Sequence, residues 1–113
     1  MKKYLLNSAV ITSPGTYNYW LVAPERAKRW STPNKSIVST IGYEQTAEAL
    51  SQILGWEVPV NRKTITMFPE DEALVFRLVF KEGTSRIDPQ DKGRLREEIL
   101  AGNFELGLLK RIA

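Results

Sequence analysis

The stretch Ala73-Leu74-Val75-Phe76-Arg77-Leu78-Val79-Phe80 decides the fold. Extended, it sets Leu74, Phe76, Leu78 and Phe80 on one face and Ala73, Val75, Arg77 and Val79 on the other. Both faces are largely apolar, which predicts a central strand covered on both sides. Arg77 is the exception on an otherwise apolar surface. A buried arginine needs an anionic partner. That partner is either a structural carboxylate or a ligand phosphate.

The flanking sequence supplies the other elements. Lys63 to Phe68 reads as a strand, followed by the acidic loop Pro69-Glu70-Asp71-Glu72. Gly42 to Leu54 reads as a helix, because Ala47, Leu50, Ile53 and Leu54 recur at helical spacing. Gly55 supplies its stop, and Glu44 suits the positive end of the helix dipole. Nearer the N-terminus, Tyr4 to Thr12 and Tyr17 to Val22 read as strands joined in a hairpin by Ser13-Pro14-Gly15. Pro24 opens a short helix to Trp30, and a polar loop with Pro33 and Asn34 follows. Beyond the central strand, Asp88 caps a helix to about Ala101, ended by Gly102. Phe104, Leu106, Leu108, Leu109 and Ile112 form an apolar tail, strand or helix. This interleaving predicts an α/β (α+β) fold: a single-layer mixed sheet of about five strands flanked by helices, in one small domain spanning residues 1–113.

Composition narrows the chemistry. With 42% hydrophobic and 26% charged residues in 113, the chain can bury one core and is not disordered. Sixteen basic and thirteen acidic residues leave +3, a balance suited to one small anion rather than a nucleic-acid strand. The excess gathers at Arg26, Lys28, Arg29 and Lys35 beside Trp30, either a solvated helix face or a place to stack and hold phosphate. Zero cysteines exclude disulfides, thiolate metal sites and cysteine nucleophiles. Zero histidines remove the usual acid-base group near neutral pH and the commonest metal ligand. Glu70, Asp71 and Glu72 alternate in direction if extended, so no metal site or cofactor is expected. Met1 to Leu6 starts like a signal peptide, but Asn7 and Ser8 interrupt the apolar run, and no run approaches a membrane span. A cytoplasmic location is expected.

Two further stretches carry function. Ser39-Thr40-Ile41-Gly42-Tyr43-Glu44-Gln45-Thr46-Ala47 sets Tyr43 on the first turn of the helix, where free N–H groups can hold a phosphate. Lys81-Glu82-Gly83 follows the central strand. Alone, the first is an ordinary helix start and the second a strand-ending turn. Together with Leu5-Leu6-Asn7-Ser8, Leu54-Gly55-Trp56-Glu57-Val58-Pro59-Val60-Asn61-Arg62, Asp71-Glu72-Ala73-Leu74-Val75 and the terminal Gly107-Leu108-Leu109, they form an ordered set of blocks. That order, over nearly the whole chain, resembles the small viral and mobile-element family of type III anti-CRISPR ring nucleases, which degrade cyclic tetra-adenylate.

The resemblance implies a mixed sheet flanked by helices and a homodimer with the cyclic ligand lying across its two-fold interface. It implies metal-independent cleavage, in which a ribose 2′-hydroxyl attacks the adjacent phosphorus. Against that pattern, Tyr43 stands where the family has its catalytic histidine, and Val79 where it has an arginine. Glu82 alone of the three catalytic positions is kept. A group with a pKa near 6.5 is thus replaced by one near 10, and loss of such a group typically costs ~10²–10⁴-fold in rate. Arg77 lies about 6–7 Å from Val79 on the same strand face, and the enzyme reading has it stand in for the missing arginine. Asn7, Ser8, Ile41, Gly42, Asn61, Arg62 and Gly83 match the family's recurrent ligand-contact positions. The expectation is a protein that binds a cyclic oligonucleotide at a homodimer interface and sequesters it, with weak or absent cleavage. The alternatives are an active metal-independent ring nuclease using Tyr43, Glu82 and Arg77, and a regulatory or interaction module on the same fold that touches DNA. Neither a membrane nor duplex nucleic acid is an expected partner of the leading reading.

Overall fold

The computed structural model describes residues 2–7, 13–33, 36–79 and 101–113. Its elements are β1 (Lys3–Leu6), β2 (Tyr17–Val22), α1 (Pro24–Trp30), β3 (Ile37–Ser39), α2 (Glu44–Leu54), β4 (Glu72–Leu78) and β5 (Phe104–Arg111). The strands form one mixed sheet in the order β2-β5-β4-β1-β3. β1 runs parallel to both β3 and β4, while β5 runs antiparallel to β4 and β2. The expected α+β class, a five-stranded mixed sheet with helices, is the observed one.

β4 occupies the middle of the sheet, as its two apolar faces require. Leu74 and Phe76 join Leu5, Leu106, Leu108, Leu50, Leu54 and Ala27 in a core beneath the two helices. Ala73 and Val75 point the other way, to Tyr4, Leu6, Leu109 and Met67. α2 buries Ala47, Leu50 and Leu54 and stops at Gly55, whose φ of 81° is the left-handed conformation glycine adopts without strain.

Several sequence expectations are corrected. β1 ends at Leu6 and makes no hairpin with β2, and residues 8–12 lie outside the described ones. Tyr4, Leu5 and Leu6 are all buried, so β1 sits inside the sheet with a parallel neighbour on each side. β2 exposes Tyr19 and Leu21 and takes an edge. Lys63 to Phe68 is not a strand. Met67 is buried and Ile65 half-buried against the face opposite the helices, so this segment crosses a sheet face instead of extending an edge. Side chains satisfy backbone groups at its end: Ser13 Oγ and Arg111 Nη1 donate to the Met67 carbonyl, and the Phe68 N–H donates to Asp71 Oδ2. The apolar tail is strand β5, paired on both sides, and the expected polar loop contains strand β3. The expected helix from Asp88 lies outside the described residues, apart from Ala101, which is in a turn.

The acidic loop is structural. Asp71 is buried, and its carboxylate accepts the Lys2 N–H at 2.8 Å and the Phe68 N–H at 2.9 Å. An amide presents a donor where one of these bonds needs an acceptor. Asp71→Asn is therefore expected to cost about 1.5–3 kcal/mol, read as a lower urea midpoint at unchanged m-value. Glu72 instead accepts from Trp30 Nε1 at 2.8 Å.

Tyr4 links the fold to pH. Burial, and then the negative charge of Asp71, push its hydroxyl above the ordinary value of 10.0. The unfolded phenol ionises first, so stability is whole below about pH 10 and is lost as pH climbs through the folded value. Tyr4→Phe is expected to flatten the fall in thermal midpoint above pH ~10. Some slope should remain from Tyr19, raised by burial and by Glu105 against the opposing Arg77. Equal slopes in variant and wild type would refute the assignment.

Candidate functional site

Because β1, β3 and β4 are parallel, their C-terminal ends meet at one end of the sheet. Open α/β sheets bind ligands beyond those ends. Asn7 follows β1, and Thr40, Ile41, Gly42 and Tyr43 lead from β3 into α2. Arg62, Lys63 and Thr64 come from the extended chain after α2. All of these except Ile41 line a concavity of about 320 Å³. The lining carries two cations, Arg62 and Lys63, and no carboxylate among the described residues.

Hydrogen bonds hold the segments together. Thr40 donates both its N–H, at 3.0 Å, and its Oγ1, at 2.7 Å, to the Leu5 carbonyl. Ser39 Oγ donates to the Pro59 carbonyl at 2.7 Å and accepts the Ile41 N–H at 3.3 Å. Asn61 donates its N–H to the Ile41 carbonyl and its Nδ2 to the Ser39 carbonyl, each at 2.8 Å. The chain entering Arg62 is thus tied to the connection from which Tyr43 emerges. Arg62 Cζ stands 5.3 Å from the centroid of the Tyr43 ring. Its side chain runs across Gly42, where an added Cβ would come within 2.9 Å of Arg62 Nε.

Of the residues expected to hold ligand, Asn7, Gly42, Tyr43 and Arg62 come together here. Tyr43 is the N-cap of α2, with extended backbone and no side-chain capping bond, and not a first-turn residue. Ile41 is wholly buried in the core, so its side chain faces no ligand. Asn61 lies behind the lining with its amide given to Ser39. Arg77, expected on a buried surface, is exposed and ion-paired with Glu105, its register partner on β5. It does not line the concavity. Val79 is also exposed, just past β4. Ser8, Glu82 and Gly83 lie outside the described residues.

Thr40, Lys63 and Thr64 were not anticipated. Thr40 directly precedes the Ile41-Gly42 pair and lies within the block 39–47, and Lys63 and Thr64 stand one and two residues beyond the block that ends at Arg62. The basic cluster on α1 is a solvated face: Arg26, Lys28 and Arg29 are exposed, and Lys35 lies outside the described residues. Trp30 is a structural post, with its indole on Glu72, its carbonyl accepting Lys3 Nζ at 2.8 Å and its ring under that ammonium at 4.8 Å.

Among the described residues, no helix is long and apolar enough to cross a membrane. The uncharacterized protein YddF of Bacillus subtilis (strain 168) is 34% identical over 79 residues, covering 69% of this chain and 73% of the relative. The uncharacterized protein ORF117 of Acidianus two-tailed virus is 32% identical over 113 residues, covering 96% of this chain and 92% of the relative. The fold is that of B116 of Sulfolobus turreted icosahedral virus, with a TM-score of 0.71 at 17% identity over 98% of this chain and 100% of that one. The family model STIV B116-like matches residues 3–105. With that match and a full-length viral relative, the chain belongs to the STIV B116-like family.

Proposed function

We propose that this protein binds a cyclic oligonucleotide of the cyclic tetra-adenylate kind and sequesters it, blunting nucleotide-signalled antiviral defence. The carrying observation is the convergence of Asn7, Gly42, Tyr43 and Arg62 on one concavity whose other charged lining residue is Lys63. Asparagine reads base edges or ribose hydroxyls, and the arginine fork pairs with phosphate. At about 320 Å³ the concavity is at the small end of ligand pockets. It suits one portion of a ring, and a two-fold homodimer presents the same contacts to both halves. Holding the ring requires these contacts and no proton donor tuned to neutral pH. The lack of any histidine in the sequence and the Arg77–Glu105 pair outside the lining both favour retention over fast cleavage.

The test is calorimetric titration against cyclic oligoadenylates of several ring sizes, their linear forms and duplex DNA. Each sample is then denatured and its nucleotides separated by chromatography. Saturable binding of a ring recovered intact, at one ring per two chains, is the expected result. Steeply salt-dependent binding to duplex DNA with none to any ring would overturn the proposal. Linear products at multiple turnovers would convert it to a ring nuclease.

A further inference from the structure

We infer that Tyr43 is a positioning residue, whose ring holds the Arg62 guanidinium ready for a ligand phosphate, with Gly42 as the gap that lets Arg62 reach it. The inference rests on the proposed reading of the concavity as an oligonucleotide site. Three contacts fix Arg62. Its backbone follows Asn61, which is bonded twice to the β3–α2 connection. Its stem lies on Gly42, with Cγ 3.5 Å and Cβ 3.6 Å from where a glycine Cβ would stand. Its guanidinium carbon stands over the Tyr43 ring.

A guanidinium over an aromatic face is held through its own flat face, while its N–H donors point outward in its plane. An exposed arginine otherwise loses rotamer freedom when it grips an anion. Here much of that freedom is already lost in the free protein, so the phosphate meets a formed site. Tyr43 contributes through its ring and not through its hydroxyl. The contact also covers one face of the ring, so a base stacks there only by displacing Arg62.

The contact is testable without ligand. In the isotope-labelled full chain, the Arg62 Hδ and Hε resonances should be shifted upfield by the Tyr43 ring current. Tyr43→Leu and, independently, Gly42→Ala should remove the shift, whereas Tyr43→Phe should restore it. Core methyl signals from Leu50 and Leu74 report whether each variant is folded. Titrated with cyclic tetra-adenylate, Tyr43→Leu should bind about 5–30-fold more weakly, counting the contact once per subunit of a dimer. Tyr43→Phe should rescue that loss. Unshifted Arg62 resonances in the wild type, or a Tyr43→Phe variant as weak as Tyr43→Leu, would overturn the inference. Wild-type protein that shows the shifts yet binds no ring would overturn the ligand reading instead and leave the Tyr43–Arg62 contact standing.

Discussion

Arg62→Glu is expected to weaken binding of cyclic tetra-adenylate by about 10²–10⁴-fold while leaving the fold intact. A charge-assisted hydrogen bond contributes about 1.5–3 kcal/mol. A two-fold site repeats each contact, so losing Arg62 removes about 3–6 kcal/mol, which is that range of affinity. Glutamate adds repulsion against the phosphates and places the effect toward the upper end. Arg62 is exposed, so the thermal midpoint should move little. Lys63→Glu provides the comparison. Lysine is a mobile point charge without a bidentate fork, and its loss should cost less than that of Arg62. The salt dependence of ring binding should also become shallower in the Arg62 variant, because fewer counterions are released. Affinity within threefold of wild type would remove Arg62 from the site and take the proposed function with it.

The strand pairings were less legible in the sequence than the burial of each strand, for a physical reason. Patterning reports whether a residue is buried, and burial alone does not name its neighbour. Two apolar faces on residues 73–80 meant a covered strand, and β4 is the middle strand of five. The same logic applied to Tyr4, Leu5 and Leu6 would have placed β1 inside the sheet. The turn residues Ser13-Pro14-Gly15 instead suggested a local hairpin, and β1 found its partners among residues 37–39 and 72–75. Alternation at Ile65 and Met67 was real too, because both pack on the sheet. A segment lying across a face has the same period-two signature as one bonded into the ladder. Three-residue β3 was too short to show any period.

Arg77 shows the converse error. A charge in an apolar alternation was read as buried, yet the register sets it opposite Glu105 near the end of the strand, where the pair reaches solvent. For the concavity, legibility came from ordered blocks of residues. Asn7 and Arg62 are distant in sequence from the adjacent Gly42 and Tyr43, and parallel pairing of β1 and β3 brings Asn7 to that pair. The contact between Arg62 and Tyr43 had no sequence signal. It depends on the double anchorage of Asn61, a residue expected only as a ligand contact.

The largest stability effect belongs to the same strand that decides the fold. Leu74 has no exposed surface and packs from the middle strand against Leu5, Leu50, Leu54 and Leu106. Leu74→Ala removes buried methyl groups and leaves a cavity that neighbours on a hydrogen-bonded sheet cannot collapse to fill. The expected loss is about 2–5 kcal/mol, against a total of about 5–15 kcal/mol for a domain of ordinary stability. At about 4–8 °C per kcal/mol for a small domain, the thermal midpoint should fall by roughly 8–40 °C. Leu21→Ala, the same substitution on edge strand β2, starts from a side chain that is 59% exposed and should cost under about 1 kcal/mol. The comparison separates position from chemistry, since both variants lose the same atoms from strands of the same sheet. Similar midpoints for the two would mean that β4 is not the covered centre of the fold.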